Sequence, residues 1–175
     1  MASGWKLKHV DPNRRRGRVY VALVRFSTTK AGAWLSVHVL WKIDPLLLRL
    51  TKGRVSTTAP VAAGLLETVG ARTGRTRRNP TLYFHDGARV TIVASLRGWP
   101  RHPAWYHNLR KHADVVFNGQ PFRAEIVEDA AEQRRLWELA DRVYPPYAVF
   151  RAEAAKAGRV IPIVQLISRE VRAPS

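Results

Sequence analysis

Two dipeptides constrain the fold of this chain more than any other feature of its sequence. Asp86-Gly87 and Asn118-Gly119 each lie between two short runs rich in β-branched and aromatic residues. Because a two-residue β-hairpin turn needs positive φ angles, which Gly, Asn and Asp adopt most readily, each dipeptide predicts a hairpin. Hairpins with helices between them favour an α+β fold with an antiparallel sheet over regular βαβ alternation.

The other elements follow from hydrophobic spacing, capping residues and turn signals. Strands are predicted at Ala62–Val69, Thr81–His85, Arg89–Ala94, Val115–Phe117, Phe122–Val127 and Ile161–Ile167. Helices are predicted at Ala31–Trp41, from Pro45 to near Gly53, at Pro103–Lys111, from Asp129 to about Val143, and from Pro146 onward. Asp129 and Glu132 have the spacing of a capping box. A sheet of five or six such strands can close into a small barrel.

The length of 175 residues suits one compact domain with an appended segment. We expect residues 1–60 to form a basic N-terminal arm with amphipathic helices, irregular over residues 1–28, and residues 61–175 to form the barrel domain. A hydrophobic content of 46% excludes a fully disordered chain. The absence of cysteine excludes disulfides, thiolate nucleophiles and Cys-type zinc sites.

The charge of the chain is strongly positive and unevenly distributed. Thirty Lys and Arg oppose 13 Asp and Glu, for a net charge of +17. Residues 1–60 hold twelve basic and two acidic residues, residues 61–125 ten and four, and residues 126–175 eight and seven. The partner is therefore expected to be anionic: a nucleic acid, an acidic membrane surface or a polyanionic small molecule.

No segment has the pattern of a secretory signal or a membrane-spanning helix. The apolar run Val19–Val24 is short and lacks a convincing cleavage site, and Ala31–Leu50 is interrupted by charged residues and a proline. Trp34, Val37 and Trp41 recur near helical spacing. Such a stripe either lies on a membrane surface or packs against the protein's own core, and the second interpretation is favoured.

The segment Gly70–Pro80 is the richest in candidate binding groups. Four arginines lie within seven residues, at positions 72, 75, 77 and 78, and no acid occurs between Glu67 and Asp86. Arginine forks, glycines and free backbone N–H groups suit phosphate or carboxylate ligands. The glycine spacing matches neither a Walker A loop nor a dinucleotide fingerprint. A solvated basic loop remains the alternative.

Two aromatic stretches, His102–Leu109 and Tyr144–Phe150, complete the candidate site. Three histidines in and after the first stretch recur every five residues, so they do not share a helix face and no metal site is predicted. Three rings at three-residue spacing in the second suit either a flat ring substrate or core packing. Since no serine elbow or Ser-His-Asp arrangement is present, an enzyme of this sequence would depend on a bound cofactor.

Together and in this order, these stretches resemble the deazaflavin-dependent nitroreductase and quinone reductase family, whose coenzyme is F420. The resemblance covers roughly Pro45 to Leu166. Its motifs are Gly70-x-x-Thr73-Gly74-x-x-Arg77-x-Asn79-Pro80, Asp86-Gly87, Val93-Ala94-Ser95, His102-Pro103-Ala104-Trp105-Tyr106-His107-Asn108-Leu109, Tyr144-Pro145-Pro146-Tyr147 and Ile161-Pro162.

The resemblance implies a split β-barrel similar to FMN-binding split barrels. It also implies a deazaflavin with a ribityl-phosphate tail that ends in a lactyl-oligoglutamate chain, a polyanion that matches the basic segment. The coenzyme-binding residues it implies are Arg72, Thr73, Arg77, Arg78 and Asn79 at the tail, Pro80, Val93, Ala94 and Ser95 along the deazaflavin, and Trp105, Tyr106, Asn108 and Tyr147 on the other side. Ser95, Tyr144 and Tyr147 are the candidate catalytic residues it implies.

The sequence departs from the family pattern at several positions. Ala71 stands where a basic residue is frequent, and Leu96-Arg97 replaces a usual Lys-Gly beside the deazaflavin. Leu82 replaces a frequent Tyr, and Phe150 replaces the last of three tyrosines. Phe150 keeps the apolar wall but has no hydroxyl, so the substrate pocket is expected to differ most from the pattern.

The resulting functional prediction is a hydride transfer from reduced F420 to a quinone, an enone or a nitroaromatic. The rival predictions are a non-catalytic nucleic-acid-binding protein, whose footprint would be positive charge with interleaved aromatics, and a split-barrel protein that uses FMN. No nucleic-acid module is recognisable, so no nucleic-acid partner is expected. We expect a cytoplasmic enzyme, a monomer, with peripheral contact to the inner face of the cell membrane.

Overall fold

A computed structural model describes residues 7–29, 41–51 and 61–169. The helix predicted at Ala31–Trp41 therefore lies almost wholly outside the described residues. The helices are α1 (Arg18–Thr28), α2 (Trp41–Leu50), α3 (Ala104–Lys111), α4 (Ala130–Val143) and α5 (Pro146–Lys156). The strands are β1 (Ala63–Val69), β2 (Thr76–Asp86), β3 (Arg89–Val93), β4 (Asp114–Phe117), β5 (Gln120–Ile126) and β6 (Ile163–Ser168).

The six strands close into one antiparallel barrel in the order β1-β2-β3-β6-β5-β4. Each described strand pair is antiparallel. The predicted α+β fold, an antiparallel barrel with flanking helices, is therefore confirmed. Closure leaves the sheet without an unpaired edge.

Both predicted hairpins are present. Asn118 and Gly119 take φ values of 47° and 73° between the paired residues Phe117 and Gln120. In the other hairpin Asp86 pairs with Arg89, so the two turn residues start one position later than predicted. Gly87 takes a φ of 57° there, as the first residue of a Gly-X hairpin turn does.

Aromatic rings fill part of the barrel interior. The Phe117 ring is fully buried, and its centroid lies 5.3 Å from that of Tyr83 and 6.5 Å from that of Phe122. Gly64 on β1 leaves the space that this ring fills, because a Cβ there would lie 2.7 Å from Cε1 of Phe117. This close approach explains a glycine within the strand.

Helix α4 begins and packs as the sequence predicts. The Asp129 carboxylate accepts the N–H of Glu132 at 2.7 Å, which caps the helix. The Glu132 carboxylate binds Arg135 at 2.8 Å. Of the predicted capping box, the half made by the Asp129 carboxylate is therefore present. Leu136, Ala140 and Val143, which share one face, are all buried.

The prediction of an irregular segment over residues 1–28 is wrong for its last eleven residues, which form α1. Tyr20 and Val24, one helical turn apart, form the face that packs on the barrel domain, and the Tyr20 hydroxyl donates to the Val143 carbonyl. The second helix also begins earlier than predicted, at Trp41, and Leu48 of α2 is fully buried. A division of the chain at residue 60 stays a prediction.

Candidate active site

The β1–β2 connection is a six-residue loop, Gly70–Arg75, because β2 already begins at Thr76. The predicted basic loop therefore extends into a strand. The Gly70 N–H donates to the Arg75 carbonyl at 2.9 Å, and the Gly74 N–H donates to the Gly70 carbonyl at 2.8 Å. A Cβ at Gly70 would lie 2.8 Å from the Thr73 hydroxyl, so the loop closes tightly on this glycine.

The arginines of this region are not equivalent. Arg72, Arg75 and Arg77 are exposed and make no ion pair within the described part of the chain. Arg78 pairs through Nε with Glu67 at 3.0 Å, across the β1–β2 ladder. Since successive strand residues point to opposite faces, Arg77 and Arg78 present their side chains on different sides of β2.

Two side chains of helix α3 form hydrogen bonds with the backbone of the Gly70–Arg75 loop. The Asn108 Oδ1 accepts the Ala71 N–H at 2.9 Å, and the Lys111 ammonium donates to the Ala71 carbonyl at 2.8 Å. The Asn108 amide nitrogen also donates to the Thr68 hydroxyl at 3.0 Å on β1. Asn108 is buried, and these bonds use its amide to fix the loop to the barrel.

Trp105 and Tyr106, the other predicted ring-binding residues of α3, belong to the hydrophobic core. Trp105 and Tyr106 are buried, and their ring centroids lie 6.5 Å apart. The Tyr106 ring also packs on His102, with a centroid separation of 4.8 Å. Trp105 and Tyr106 thus belong to the face of α3 that packs into the hydrophobic core.

The backbone turns sharply after β3, where the sequence analysis placed the deazaflavin. Val93 and Ala94 are buried, and Ser95 is half-buried. Leu96, Arg97 and Gly98 then take φ values of 40°, 55° and 80°. Three consecutive left-handed residues, two of them with a Cβ, form an unfavourable turn that the surroundings must hold in place.

Arg159 lies directly behind this turn. Its guanidinium donates to the carbonyls of Ala94, Ser95 and Trp99 and, through Nε, to Nδ1 of His102 at 3.2 Å. Arg159 is buried, and burial lowers its pKa. Sequence reasoning missed this residue, because an isolated Arg in a loop carries no pattern.

An aromatic cluster packs beside the turn. The ring centroid of Tyr144 lies 5.2 Å from that of Tyr147 and 6.2 Å from that of Phe150. A Cβ at Gly98 would meet the Phe150 carbonyl at 2.6 Å, so the turn lies directly on α5. Ser95 directly precedes this turn, Tyr144 lies just before α5 and Tyr147 lies on α5. The contact between the turn and α5 therefore brings the three predicted catalytic residues into one region.

The two tyrosines differ in environment. Tyr147 is 3% exposed, and burial, reinforced by the neighbouring Tyr144, raises the pKa of its hydroxyl. Tyr144 is half-buried. Tyr20 of α1 joins this cluster, and Arg16 lies over its ring at 5.2 Å. The sequence analysis missed Tyr20, and its helical spacing from Val24 is the signal that could have found it.

Two predicted coenzyme residues lie on β2, facing opposite sides. Asn79 pairs with Leu66 and Pro80 with Leu65, and both are half-buried. Within the described ranges, no group of three His, Asp or Glu side chains is placed to hold a metal ion.

Comparison with known proteins identifies the family. The model of the F420H(2)-dependent quinone reductase family matches residues 40–167. The chain belongs to this family. It is 33% identical over 150 residues to the F420H(2)-dependent quinone reductase Rv1261c of Mycobacterium tuberculosis, covering 78% of this chain and 97% of that protein. Membership makes it an F420-dependent oxidoreductase with coenzyme F420 as its cofactor.

A solved structure of an F420-H2-dependent reductase agrees with this assignment. An F420-H2-dependent reductase, FDR-A, superposes with a TM-score of 0.50 at 29% identity, covering 59% of this chain and 92% of that one. A chain described as a domain-swapped dimer superposes with a TM-score of 0.54 at 26% identity, covering 69% and 93%. The family predicted from the motifs is therefore confirmed.

The donor set fits the coenzyme that the family uses. A phosphate and several carboxylates need positive charge and N–H donors at a surface the tail can reach. Three exposed arginines on and beside a fixed loop meet this need. A flat ring system needs apolar walls and a few polar groups, and the half-buried Pro80, Ser95 and Tyr144 offer such surface, whereas Ala94 is fully buried beside them.

Proposed function

We propose that this enzyme transfers a hydride from reduced F420 to a quinone, with enones and nitroaromatics as further acceptors. The observation that carries the proposal is the set of exposed arginines without ion pairs among the described residues, beside a loop that α3 fixes. Membership of the F420H(2)-dependent quinone reductase family favours the polyanionic tail of F420 over a nucleic acid as the ligand of these arginines.

The tail is bound by the first barrel hairpin in this proposal. Arg72, Thr73, Arg77 and Asn79 contact the phosphate and the glutamates, because both backbone groups of Ala71 are already bonded to α3. Arg78 contributes less, because Glu67 already neutralises it. Exposed arginine–carboxylate contacts are screened by salt, so the affinity for F420 should fall as ionic strength rises.

The ring system lies along the half-buried Pro80 and Ser95 in this proposal, above the buried side chains of Val93 and Ala94. When bound, the reduced deazaflavin supplies the hydride. The protein orients the ring against the acceptor and excludes water. Asn108, Trp105 and Tyr106 support the site without contacting the ring, since their side chains are buried under the loop and in the core.

The reduced acceptor needs a proton, and the candidate donors differ in access. Tyr144 is half-buried and lies at the open side of the aromatic cluster, whereas Tyr147 lies beneath it. Burial keeps the Tyr147 hydroxyl protonated. We therefore assign proton delivery to Tyr144 or the Ser95 hydroxyl, and orientation of the Tyr144 ring to Tyr147.

Turnover with a panel of acceptors tests the proposal. Reduced F420 is mixed with the enzyme and a soluble quinone, a nitroaromatic or a cyclic enone, and reoxidation of the coenzyme is followed by its absorbance. Quinone-dependent oxidation that needs the enzyme supports the proposal. Absence of oxidation with every acceptor, by an enzyme that binds F420, would contradict the acceptor class.

We further propose that α1 rests on an anionic lipid surface, which would give access to lipid-soluble quinones. Val19, Leu23 and Phe26 form one face of the helix, and each is at least 45% exposed. Arg18 and Arg25 lie beside this face, both on the same side of the helix. Exposed apolar side chains with neighbouring basic residues favour an anionic membrane interface. No helix among the described residues is long and apolar enough to cross a bilayer.

Co-sedimentation with vesicles tests this surface. The full chain should bind vesicles containing phosphatidylglycerol more than neutral ones, and Phe26→Glu should weaken binding. Val149→Glu, at an exposed valine of α5, is the matched control and should leave binding unchanged. Equal loss in both variants, or no binding at low salt, would contradict the proposal.

A further inference from the structure

Arg159 is a buried charge whose described contacts are all neutral. It is 7% exposed and lies between β6 and the end of α5. Its acceptors are three backbone carbonyls and one imidazole nitrogen. No carboxylate contacts it within the described ranges. Burying a guanidinium without an anionic partner is costly, so hydrogen bonds to oriented carbonyl dipoles must offset much of that cost.

The carbonyls that Arg159 binds bracket the left-handed turn. Ala94 and Ser95 lie before it, and Trp99 lies after it. The turn's own bonds are short-range, from the Gly98 N–H to the Ser95 carbonyl at 2.9 Å and from the Trp99 N–H to the Leu96 carbonyl at 3.1 Å. Such a turn would relax to negative φ at Leu96 and Arg97 without an outside restraint.

His102 binds the Nε–H of Arg159 and so helps to fix the guanidinium beside the turn. Its Nδ1 accepts the Arg159 Nε–H, which requires an unprotonated Nδ1. Burial, Arg159, His107 and Arg110 all lower the pKa of His102, so the accepting form is the one favoured in the folded chain. The His102 ring in turn packs on Tyr106 of α3.

We propose that Arg159 is a positioning residue for hydride transfer: its planar fork holds the left-handed turn at Leu96–Gly98 and thereby fixes the Ala94–Ser95 backbone on which the deazaflavin lies. The inference rests on the proposed function for the ring's place at Ala94 and Ser95. It assigns Arg159 no contact with the coenzyme. The fork geometry matters because one flat cation reaches carbonyls on both sides of the turn.

The test compares Arg159→Gln and Arg159→Lys with the wild-type chain. Amide hydrogen exchange of the coenzyme-free protein reports on the turn, and fluorescence titration reports on F420 affinity. Arg159→Gln should speed exchange at Gly98 and Trp99 while leaving the Ala94 amide, bonded to Pro162 at 3.0 Å, protected. It should also weaken F420 binding about tenfold, which is ~1.4 kcal/mol. Arg159→Lys, which keeps the charge but loses the fork, should fall between.

A second variant distinguishes an effect of Arg159 on the conformation of the turn from an effect on the stability of the whole domain. Leu96→Gly makes left-handed backbone easy at that position, so the turn depends less on its restraint. In the double variant, Leu96→Gly should recover part of the F420 affinity lost in Arg159→Gln. Additive losses in the double variant would overturn the proposal.

The outcomes distinguish this inference from the proposed function. If the wild-type chain binds F420 and Arg159→Gln binds it equally well, the positioning role is wrong and the proposed function stands. If the wild-type chain fails to bind F420 while exchange at Gly98 and Trp99 still rises in Arg159→Gln, the proposed function is wrong and the restraint on the turn stands. Unchanged exchange in Arg159→Gln contradicts the restraint itself.

Discussion

The Asn108 Oδ1 accepts the backbone N–H of Ala71 at 2.9 Å, which joins helix α3 to the basic hairpin loop 37 residues earlier in the chain. The same amide donates to Thr68 on β1, so one buried side chain ties the loop, the helix and the barrel together. The two motifs that the sequence analysis treated as separate contacts of one coenzyme are thus bonded to each other. This link lets α3 determine where the arginines of the loop stand.

Replacement of Asn108 by Ala should therefore affect both stability and coenzyme affinity. The variant leaves the Ala71 N–H and the Thr68 hydroxyl without their partner, which costs ~1–3 kcal/mol of unfolding free energy. F420 affinity should also fall, because the loop loses its fixed position. Urea unfolding and fluorescence titration measure the two effects. Lys111→Ala, which removes one exposed contact to the same residue, is the control and should cost less on both.

Gly64→Ala tests the packing of the barrel interior. The new methyl group would overlap the fully buried Phe117 ring, and the ring is enclosed by Tyr83 and Phe122. We expect a loss of ~1–3 kcal/mol in unfolding free energy, typical of overpacking. Gly17→Ala, where a Cβ meets nothing within 4 Å, should cost less, since only the N-cap preference of α1 changes. Equal stability of Gly64→Ala and wild type would contradict the described packing.

Stability should fall in mild acid, partly through His102. Its pKa is lowered in the folded chain, mainly by burial and then by Arg159. The unfolded chain therefore binds more protons below about pH 6.5, the ordinary pKa of histidine, and stability is lost as the pH falls through that value. Unfolding free energies between about pH 8 and about pH 5 should show this decline.

His102→Gln should flatten that decline, because an amide oxygen can accept from Arg159 without titrating. The slope that remains is expected to include His85, whose pKa is also lowered by burial and by His9. An NMR titration of the His102 ring measures its pKa directly. A value above that of free histidine would contradict the described contacts.

Tyr144→Phe and Tyr147→Phe separate proton delivery from ring packing. If Tyr144 supplies the proton, its hydroxyl is needed in the chemical step, and kcat should fall by about tenfold or more. Tyr147→Phe keeps the buried ring and should reduce kcat less. Steady-state kinetics with a quinone, with kcat and KM determined separately, decide between them. A larger kcat loss in Tyr147→Phe would reverse the assignment.

The elements that were predicted well from the sequence are those whose determining residues lie within the element or next to it. Asn118-Gly119 predicts its own turn, and Asp129 caps the helix that follows it. Arg159 carried no such signal, since its carbonyl partners lie about 60 residues away and any residue type supplies a carbonyl. The burial of the Asn108 side chain likewise depends on how α3 packs, which the motif does not encode.

The strand register explains the remaining differences at the basic segment. The sequence shows no acid between Glu67 and Asp86, but antiparallel pairing of β1 with β2 places Glu67 opposite Arg78. The neighbouring Arg77 pairs instead with Thr68. A pattern of four arginines is therefore split by the sheet into one that is neutralised and three that stay available.

A fluorescence titration of the full chain with F420, beside its Arg77→Ala and Arg78→Ala variants, tests the central claim most directly. The wild-type chain should bind F420 saturably and in preference to FMN and a single-stranded oligonucleotide. Arg77→Ala should weaken binding by about tenfold, or ~1.4 kcal/mol, and Arg78→Ala by much less, although the two residues are adjacent and carry the same charge. Equal losses in the two variants, or binding of the oligonucleotide alone, would contradict the account.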